Sequence, residues 1–359
     1  MNPLSGSWLK PENKISRSSF RASANGSTYA HRPPPSAHGG MFAWKPLPHR
    51  KPEEALTMFD INAITSQEGR VAIVTGANVG LGFSTTHTLA KNGATVVMAC
   101  RNADKANSAI AELKKNLPDA DLVFMPLDLS DLKSVKRFAE QFLEQFDRLD
   151  LLINNAGVMV PPYQKTVDGF ELQMGANYFG HFLLTSLLLP LLEKTGNARI
   201  VNLSSIAHRN GKIHFDDMHF EKRYSKMEAY GQSKLAMLMF SYELSRRLKE
   251  QGYSTIAVAA HPGVANTALS RYLPKPMIAL LTPVAGLLLS SPEEGALPQI
   301  YAAVGEDIES GDYLGPNGFN EMRGKQPVKV KPRPHALDTE VSGRLWEVSL
   351  ELTGAHYFD

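Results

Sequence analysis

Three things are scarce in this chain of 359 residues: cysteine, net charge and long apolar runs. Cys100 is the one cysteine, which excludes an internal disulfide and a metal site built on several cysteines. The 38 basic residues nearly balance the 36 acidic ones, so nucleic acid is not an expected partner. The longest apolar runs, 182–192 and 277–289, contain proline and are shorter than the roughly 20 residues that span a bilayer. We therefore expect no transmembrane segment, and a cytoplasmic location is favoured.

Residues 1–57 differ in composition from the rest of the chain. They are rich in serine, proline and glycine, and up to Gly40 five basic residues face one acidic residue, Glu12. A segment with so little apolar content buries too little surface to fold alone. Three interpretations stay open: an organelle-targeting peptide, a disordered leader, and extra sequence ahead of a start at Met58. Each of them predicts disorder.

From Arg70 onward the pattern is that of a sheet covered on both faces. Short apolar runs rich in β-branched residues alternate with segments of helical period, and Ser130 is the predicted N-cap of one helix. The predicted strands are 70–75, 94–100, 121–129, 149–155, 198–205 and 253–261, and the predicted helices include 103–117, 130–146, 179–194, 226–251, 292–304 and 336–354. This alternation predicts one α/β domain over residues 65–354, a single doubly wound Rossmann-type parallel sheet flanked by helices on both faces.

The segment TGANVGLG, residues 75–82, follows the first predicted strand and opens the first helix. Its glycines allow a tight turn and a close approach of the backbone to a phosphate, and the following helix offers free N–H groups and a positive dipole end. In this context the segment is typical of a dinucleotide-binding turn, although its spacing is GxxxGxG rather than GxGxxG. The candidate cofactor-binding residues here are Gly76, Asn78, Gly80, Leu81 and Gly82.

The residue at the end of the second strand selects between NAD and NADP. In NAD sites an acidic residue accepts a hydrogen bond from the ribose 2′-hydroxyl, whereas an arginine can hold the 2′-phosphate of NADP. This chain has Arg101 at that point and no acidic residue before Asp104. Because a guanidinium forms charge-assisted bonds with a phosphate, NADP(H) is the predicted cofactor.

Tyr230 and Lys234 lie four residues apart near the start of a predicted helix. Positions i and i+4 share one face of a helix, so the phenol and the ammonium can reach a common point. A neighbouring cation lowers the pKa of a phenol, which would suit proton transfer near neutral pH. Taken alone, the pattern is more typical of an amphipathic helix whose polar side chains face water, so its meaning depends on the other motifs.

Several motifs in register resemble those of the short-chain dehydrogenase/reductase superfamily over about residues 65–354. They are TGxxxGxG at 75–82, NNAG at 154–157, an asparagine at 177, a serine in NLSS and YxxxK at 230–234. Finer features are similar to the retinol-dehydrogenase branch, which includes the WW-domain-containing oxidoreductase: ACRN at 99–102, NLSSIAHRNGKIHFDD at 202–217, AYGQSKLAMLMF at 229–240 and HPGVANTAL at 261–269. Agreement among independent motifs favours the catalytic interpretation of YxxxK.

The resemblance implies catalytic roles for four residues. Tyr230 would exchange a proton with the substrate oxygen, while Lys234 and the bound nicotinamide would lower its pKa. Ser205 would stabilise charge on the carbonyl oxygen, with the adjacent Ser204 as the competing candidate. Asn177 would anchor a water beside the lysine, and its alternative is a helix cap or a core amide.

The resemblance also implies further contacts with the dinucleotide. Asp128 would meet the adenine amino group, although without the resemblance it is interpreted as a helix cap. The other candidates line the groove or the loop over the nicotinamide: Asn154, Ala156, Gly157, Pro262, Gly263 and Thr267. His261 is better explained by packing than by a metal, since no second ligand lies at a suitable spacing, and no metal is predicted.

The functional expectation is an NADP(H)-dependent oxidoreductase that interconverts a carbonyl and an alcohol on a lipophilic small molecule. Its substrate loops would be 158–169 and 264–291, and the apolar character of the second loop motivates the lipophilic substrate. The resemblance implies a homodimer or homotetramer formed through the helices at 179–194 and 226–251. Two alternatives stay open: a catalytically silent NADP-binding sensor or scaffold, and an enzyme like the light-dependent protochlorophyllide reductases.

Overall fold

The computed structural model describes residues 58–264 and 290–358. Eight strands lie in these ranges: β1 Val71–Thr75, β2 Thr95–Cys100, β3 Leu122–Pro126, β4 Leu151–Asn154, β5 Arg199–Leu203, β6 Ile256–Ala260, β7 Tyr313–Pro316 and β8 Pro327–Lys329. They form one sheet in the order β3-β2-β1-β4-β5-β6-β7-β8, in which only β8 runs antiparallel to its neighbour. The predicted doubly wound α/β sheet is confirmed.

The strand order reverses at β1. This strand pairs with β2 on one side and with β4 on the other, so the chain first builds one half of the sheet and then crosses to build the second half. The carboxyl ends of β1 and β4 therefore flank a crevice, which is where open α/β sheets bind their ligands. Thr75 ends β1 and Asn154 ends β4, so the glycine-rich turn and the NNAG segment both begin at this crevice.

Among the described residues, seven α-helices longer than one turn cover the two faces and the outer layer of the sheet: α1 Gly80–Lys91, α2 Ala103–Asn116, α3 Leu132–Gln145, α4 Gly180–Thr195, α5 Lys226–Glu250, α6 Pro292–Val304 and α7 Thr339–Thr353. Successive strand residues point to opposite faces, so β1 contributes Ile73 to one core and Val74 to the other. The core of Ile73 includes apolar residues of α3, α4 and α5, and the core of Val74 includes those of α1, α2 and α6.

The structure changes three details of the predicted elements. Asp131, not Ser130, is the N-cap of α3, because the Asp131 carboxylate accepts from the Lys133 N–H at 2.9 Å. The predicted helix at 336–354 begins only at Thr339, after a separate 3₁₀ turn, Pro334–Leu337. Strands β7 and β8 were not predicted, since they are four and three residues long and contain glycine or proline.

The chain enters α4 through an irregular helical segment. A short α-helical turn, Leu172–Met174, leads into a π-helical turn, Gly175–Phe179, and then into α4. Single π-helical turns inside longer helices occur frequently at functional sites. The whole run, Leu172–Thr195, is long and apolar enough to cross a membrane, but 83% of its most apolar window is buried inside the protein.

Helix α7 covers the outer side of α4 and α5. The Tyr178 hydroxyl lies 2.8 Å from Ser349 Oγ, and the Tyr357 hydroxyl donates to the Phe182 carbonyl oxygen at 2.6 Å. Trp346 packs edge-on against Phe182, with 5.2 Å between the ring centroids. Helix α7 therefore covers part of the two helices that the sequence analysis assigned to an oligomer interface, and the oligomeric state stays a prediction.

Candidate active site

Three glycines shape the turn between β1 and α1. Gly76 and Gly80 have φ values of 66° and 57°, a backbone conformation that other residues rarely adopt. A Cβ atom on Gly82 would lie 2.4 Å from the Gly76 carbonyl oxygen, so the close approach of turn and helix requires glycine there. Val79 occupies the N-cap of α1 and makes no side-chain cap. The first N–H groups of α1 thus face the crevice and are suited to an anion.

Asn78 and Leu81 complete this turn and are both half-buried. The turn is braced from β4 by Asn155, whose side-chain amide donates to the Thr75 carbonyl oxygen at 2.7 Å. The Thr75 hydroxyl in turn accepts from the backbone N–H groups of Asn155 and Ala156, both at 2.9 Å. Sequence reasoning missed Asn155, although its place directly after a strand in NNAG was a usable signal.

Arg101 and Asp128 follow β2 and β3 on the same side of the crevice. Arg101 is exposed, and no hydrogen bond or ion pair of its side chain is found within residues 58–264 and 290–358. Asp128 Oδ1 accepts from the backbone N–H of Ser130 at 3.0 Å and from its hydroxyl at 2.6 Å. Asp128 therefore stabilises the turn ahead of α3, and its contact with an adenine group stays a prediction.

The NNAG candidates divide between the core and the crevice. Asn154 is 1% exposed, and its amide donates to Thr185 Oγ1 at 3.0 Å and to Asn202 Oδ1 at 2.9 Å. Its side chain does not line the groove as predicted, because the alternation along β4 turns it toward α4. Gly157 does reach the crevice, and a Cβ atom there would lie 3.4 Å from Lys234 Nζ.

Ser205, Tyr230 and Lys234 meet beyond the carboxyl end of β5. The Tyr230 phenol forms a hydrogen bond with the Ser205 side chain. Lys234 Nζ lies 6.0 Å from the centroid of the Tyr230 ring and donates to the Leu203 carbonyl oxygen at 2.9 Å. The Ser204 hydroxyl instead donates to the backbone carbonyl oxygen of Lys234 at 2.8 Å. The geometry thus pairs Ser205, and not Ser204, with the phenol.

Burial controls the proton affinities of this group. It raises the pKa of the Tyr230 phenol above its ordinary value, and the hydrogen bond from Ser205 offsets part of that rise. It also lowers the pKa of Lys234 to about 8, since an ammonium loses hydration when it is buried. The sequence predicted a lowered pKa for Tyr230. The structure shows the opposite direction because the loss of hydration is the largest influence on the phenol.

Asn177 lies in the π-helical turn and connects three parts of the site. Its side chain accepts from the Val158 N–H at 2.7 Å and donates to the Val158 carbonyl oxygen and to Ser233 Oγ, both at 2.9 Å. Its backbone carbonyl oxygen accepts from His181 Nδ1 at 2.9 Å. His181 Nε2 accepts from the Thr75 hydroxyl, also at 2.9 Å. Asn177 is therefore bonded directly to the segment after β4 and to α5, and through His181 to β1. Its contact with a water stays a prediction.

Pro262 and Gly263 follow β6 at the same edge of the sheet. Gly263 has a φ of 68°, and a Cβ atom there would lie 2.4 Å from the Met322 carbonyl oxygen. His261 Nε2 lies 3.0 Å from Glu321 Oε2, so this buried histidine pairs with a half-buried carboxylate. Thr267 lies outside the described residues, as does most of the predicted loop 264–291. In the described part of the chain no three His, Cys, Asp or Glu side chains are grouped to hold a metal.

Comparison with known proteins agrees with this geometry. The family model described as short chain dehydrogenase matches residues 70–277. Retinol dehydrogenase 12 from Mus musculus is 43% identical over 293 residues, which cover 80% of this chain and 88% of the relative. Retinol dehydrogenase 13 from Homo sapiens is also 43% identical over 293 residues, covering 80% and 85%.

Solved structures show the same fold. An uncharacterized protein from Mycobacterium paratuberculosis has a TM-score of 0.70 and 38% identity, over 84% of this chain and 99% of that one. The complex of RhlG with NADP from Pseudomonas aeruginosa has a TM-score of 0.53 and 28% identity, over 69% of this chain and 94% of that one. The second structure has NADP at its active site.

The comparisons also correct one expectation. The cytoplasmic location favoured by the sequence is wrong, because retinol dehydrogenases 11 to 14, which this chain resembles, are membrane-associated enzymes. That expectation was based on the absence of an apolar run long enough to span a bilayer.

Proposed function

The chain belongs to the short-chain dehydrogenase/reductase family, in its retinol-dehydrogenase-like branch, and we propose that it uses NADP(H) to interconvert an aldehyde or ketone and the corresponding alcohol on a lipophilic small molecule. Carbonyl and alcohol interconversion follows from membership of this oxidoreductase family. The observation that best supports the proposed reaction is that Ser205, Tyr230 and Lys234 lie close together beside the glycine-rich turn. One domain, residues 65–354, would hold the whole site.

The crevice fits a dinucleotide. The turn at Gly76 and Gly82 packs too closely to admit side chains there, and the uncapped N-terminus of α1 suits a pyrophosphate. Arg101 would hold the 2′-phosphate of NADP, which is supported by its exposure and by the lack of a competing partner in the described part of the chain. When bound, the nicotinamide supplies or accepts the hydride.

The protein's own side chains would handle the proton. Tyr230 would donate its phenolic proton to the substrate oxygen during reduction and take it back during oxidation. Ser205 would donate a hydrogen bond to the same oxygen, in the place where negative charge develops. Lys234, with a pKa of about 8, is mainly an ammonium at neutral pH and would hold positive charge next to the reacting atoms.

Two observations support a lipophilic substrate. In the predicted substrate loop 158–169, Val167 and Tyr163 expose 79% and 39% of their surface and would be available to an apolar ligand. Two relatives with 43% identity are named as retinol dehydrogenases, and retinol is an apolar alcohol. The class of substrate is accordingly an apolar aldehyde, ketone or alcohol.

The decisive experiment compares the wild type with Tyr230→Phe. Both proteins are incubated with NADPH and a panel of apolar aldehydes and ketones, and NADPH binding is measured separately by fluorescence. We expect turnover by the wild type and at least a hundredfold loss in the variant, with binding retained, because only the proton donor is removed. Tight NADPH binding without turnover by the wild type would favour a sensor or scaffold. Equal turnover by both proteins would contradict the assigned role of the phenol.

A further inference from the structure

A buried chain of hydrogen bonds runs underneath the catalytic side chains. It consists of His208, Tyr313 and Ser204, named here the His208 network, which expose 1%, 2% and 2% of their surface. His208 lies in the 3₁₀ turn Ile206–Asn210 that follows Ser205, and Tyr313 begins β7. His208 and Tyr313 are not candidates for contact with substrate or cofactor, and the Ser204 hydroxyl is committed to the Lys234 carbonyl oxygen, so their polar atoms need another explanation.

The carbonyl acceptors fix the direction of the hydrogen bonds at the two ends of the network. His208 Nδ1 lies 2.7 Å from the Ser205 carbonyl oxygen, which can only accept, so the proton is on Nδ1. The Tyr313 hydroxyl lies 3.3 Å from the same nitrogen and is hydrogen-bonded to Ser204. Ser204 donates to the Lys234 carbonyl oxygen at 2.8 Å. Burial lowers the pKa of His208 to about 4, so the imidazole is neutral at pH 7.

Both ends of this network lie on the backbone of catalytic residues. One end holds the carbonyl group of Ser205, which accepts from His208 Nδ1 and also from the His208 backbone N–H at 3.0 Å. The hydroxyl of Ser205 is bonded to the Tyr230 phenol. The other end holds the carbonyl group of Lys234. His208 is itself fixed from the opposite side, because its carbonyl oxygen accepts from His335 Nε2 at 3.1 Å. A rigid support of this kind is what keeps catalytic groups within the narrow geometry that turnover requires.

We propose that His208 is a positioning residue for the reaction: its Nδ1–H holds the main chain of Ser205 so that the serine hydroxyl stays bonded to Tyr230, and Tyr313 with Ser204 extends the support to Lys234. The inference rests on the proposed function for its effect on turnover. It gives Ser204 a supporting role, distinct from the polarising role assigned to Ser205. It also makes β7 part of the active site through Tyr313.

Three substitutions of His208 distinguish the effect of the Nδ1 donor from the effects of side-chain size and polarity. Asparagine carries its amide nitrogen two bonds from Cβ, as Nδ1 is, so His208→Asn keeps the donor in place. Glutamine carries its amide nitrogen three bonds from Cβ, at the level of Nε2, so His208→Gln keeps polarity but moves the donor. His208→Leu removes the donor altogether. We expect near wild-type kcat for His208→Asn and about a tenfold loss for the other two, the usual effect of one hydrogen bond.

A second readout does not depend on turnover. The ionisation of Tyr230 is followed by ultraviolet difference titration of each protein against the same protein carrying Tyr230→Phe. Loosening Ser205 weakens a hydrogen bond that lowers the pKa of Tyr230, so Tyr230 should titrate at higher pH in His208→Leu and His208→Gln but not in His208→Asn. The ionisable neighbours of His208, namely His261, His335, Arg209 and Tyr313, are unchanged in all three variants.

The outcomes distinguish this inference from the proposed function. If the wild type turns over no carbonyl substrate, the proposed function fails, while the titration still decides whether His208 acts on Tyr230. If the leucine and glutamine variants match the wild type in both readouts, or if asparagine is no better than leucine, the positioning role is wrong. Should the His208 variants fold poorly, Tyr313→Phe breaks the network and keeps the aromatic ring. In that variant an unchanged kcat and an unchanged Tyr230 titration would contradict the extension to Lys234.

Discussion

Lowering the pH from 7 to 5 should destabilise the protein through two buried histidines. His181 is fully buried, and its two ring nitrogens bond the Asn177 carbonyl oxygen and the Thr75 hydroxyl, both at 2.9 Å. His208 is buried at the carbonyl group of Ser205. Burial lowers the pKa of each imidazole to about 4 in the folded protein. In both residues Nε2 is placed as an acceptor, from the Thr75 hydroxyl in His181 and from the Arg333 N–H at 3.5 Å in His208, so both bonding patterns need a neutral ring.

The sign and size of the change in stability follow from the difference in histidine pKa between the folded and unfolded states. The unfolded chain binds a proton on each histidine below a pKa of about 6.5, whereas the folded protein does so only near 4. Their contribution to stability is therefore complete above pH 6.5 and is lost as the pH falls toward 4. At pH 5 the loss is roughly 2 kcal/mol for each histidine, or roughly 4 kcal/mol together.

Carboxylates contribute little in this window. Those with a lowered pKa, such as Glu193 and Glu243, begin to lose their stabilising effect only near and below the ordinary pKa of 4.5. A fall of 4 kcal/mol is a large share of the 5–15 kcal/mol that usually holds a domain together. The protein should consequently approach its unfolding transition at mildly acidic pH.

The assay is urea unfolding followed by circular dichroism at pH 7, 6 and 5. The free energy of unfolding should fall by about 2 to 3 kcal/mol per pH unit between 6 and 5, which corresponds to almost two protons taken up. His208→Asn removes one titrating group and should lower this slope by about half. A free energy of unfolding that is equal at pH 7 and pH 5, or a slope unaffected by His208→Asn, would refute the reasoning.

Three further predictions concern the candidate site. Ser205→Ala should lower kcat at least a hundredfold without weakening NADPH binding, whereas Ser204→Ala should cost about tenfold; equal losses in steady-state assays would contradict the separate roles. Arg101→Ala should raise the KM for NADPH about tenfold and leave that for NADH unchanged, and an unaltered ratio of the two KM values would defeat the NADP preference. Gly82→Ala should abolish NADPH binding in a fluorescence titration, since its Cβ would lie 2.4 Å from a carbonyl oxygen of the turn. The matched control Gly343→Ala, with nothing within 4 Å of the added carbon, should bind as the wild type does, and tight binding by both variants would show that the close packing of the turn is not needed.

Most of the fold was predictable because its strands are buried on both faces. Six apolar runs in the sequence correspond to β1 through β6, the strands that line the crevice. Strand β7 could not be predicted in this way, since YLGP is short and depends on its pairing with β6, where Ala259 lies opposite Tyr313. The supporting role of Tyr313 was consequently invisible in the sequence.

The NNAG motif is an example in which the local sequence pattern does not predict where a side chain lies. It identified the right stretch of chain, but Asn154 and Asn155 are the same residue type and differ only in position. Asn154 is the last residue of β4, so its side chain follows the alternation of the strand into the core. Asn155 lies one residue beyond β4 and braces Thr75 at the glycine-rich turn. The position of the strand end, to within one residue, therefore determines which of the two amide side chains reaches the site.

The proton affinities at the site depend on burial more than on the spacing of Tyr230 and Lys234. A spacing of four residues brings the two groups to one face of α5, but Lys234 Nζ lies 6.0 Å from the phenol ring and is bonded to the Leu203 carbonyl oxygen. Loss of hydration therefore raises the pKa of Tyr230 and lowers that of Lys234 to about 8, so the two values move in opposite directions. The phenol keeps its proton at neutral pH, which is the form that can donate it. The hydrogen bond with Ser205 opposes this rise in the pKa of Tyr230. The geometry of that bond depends on His208, so the support of Ser205 by His208 also affects the acidity of Tyr230.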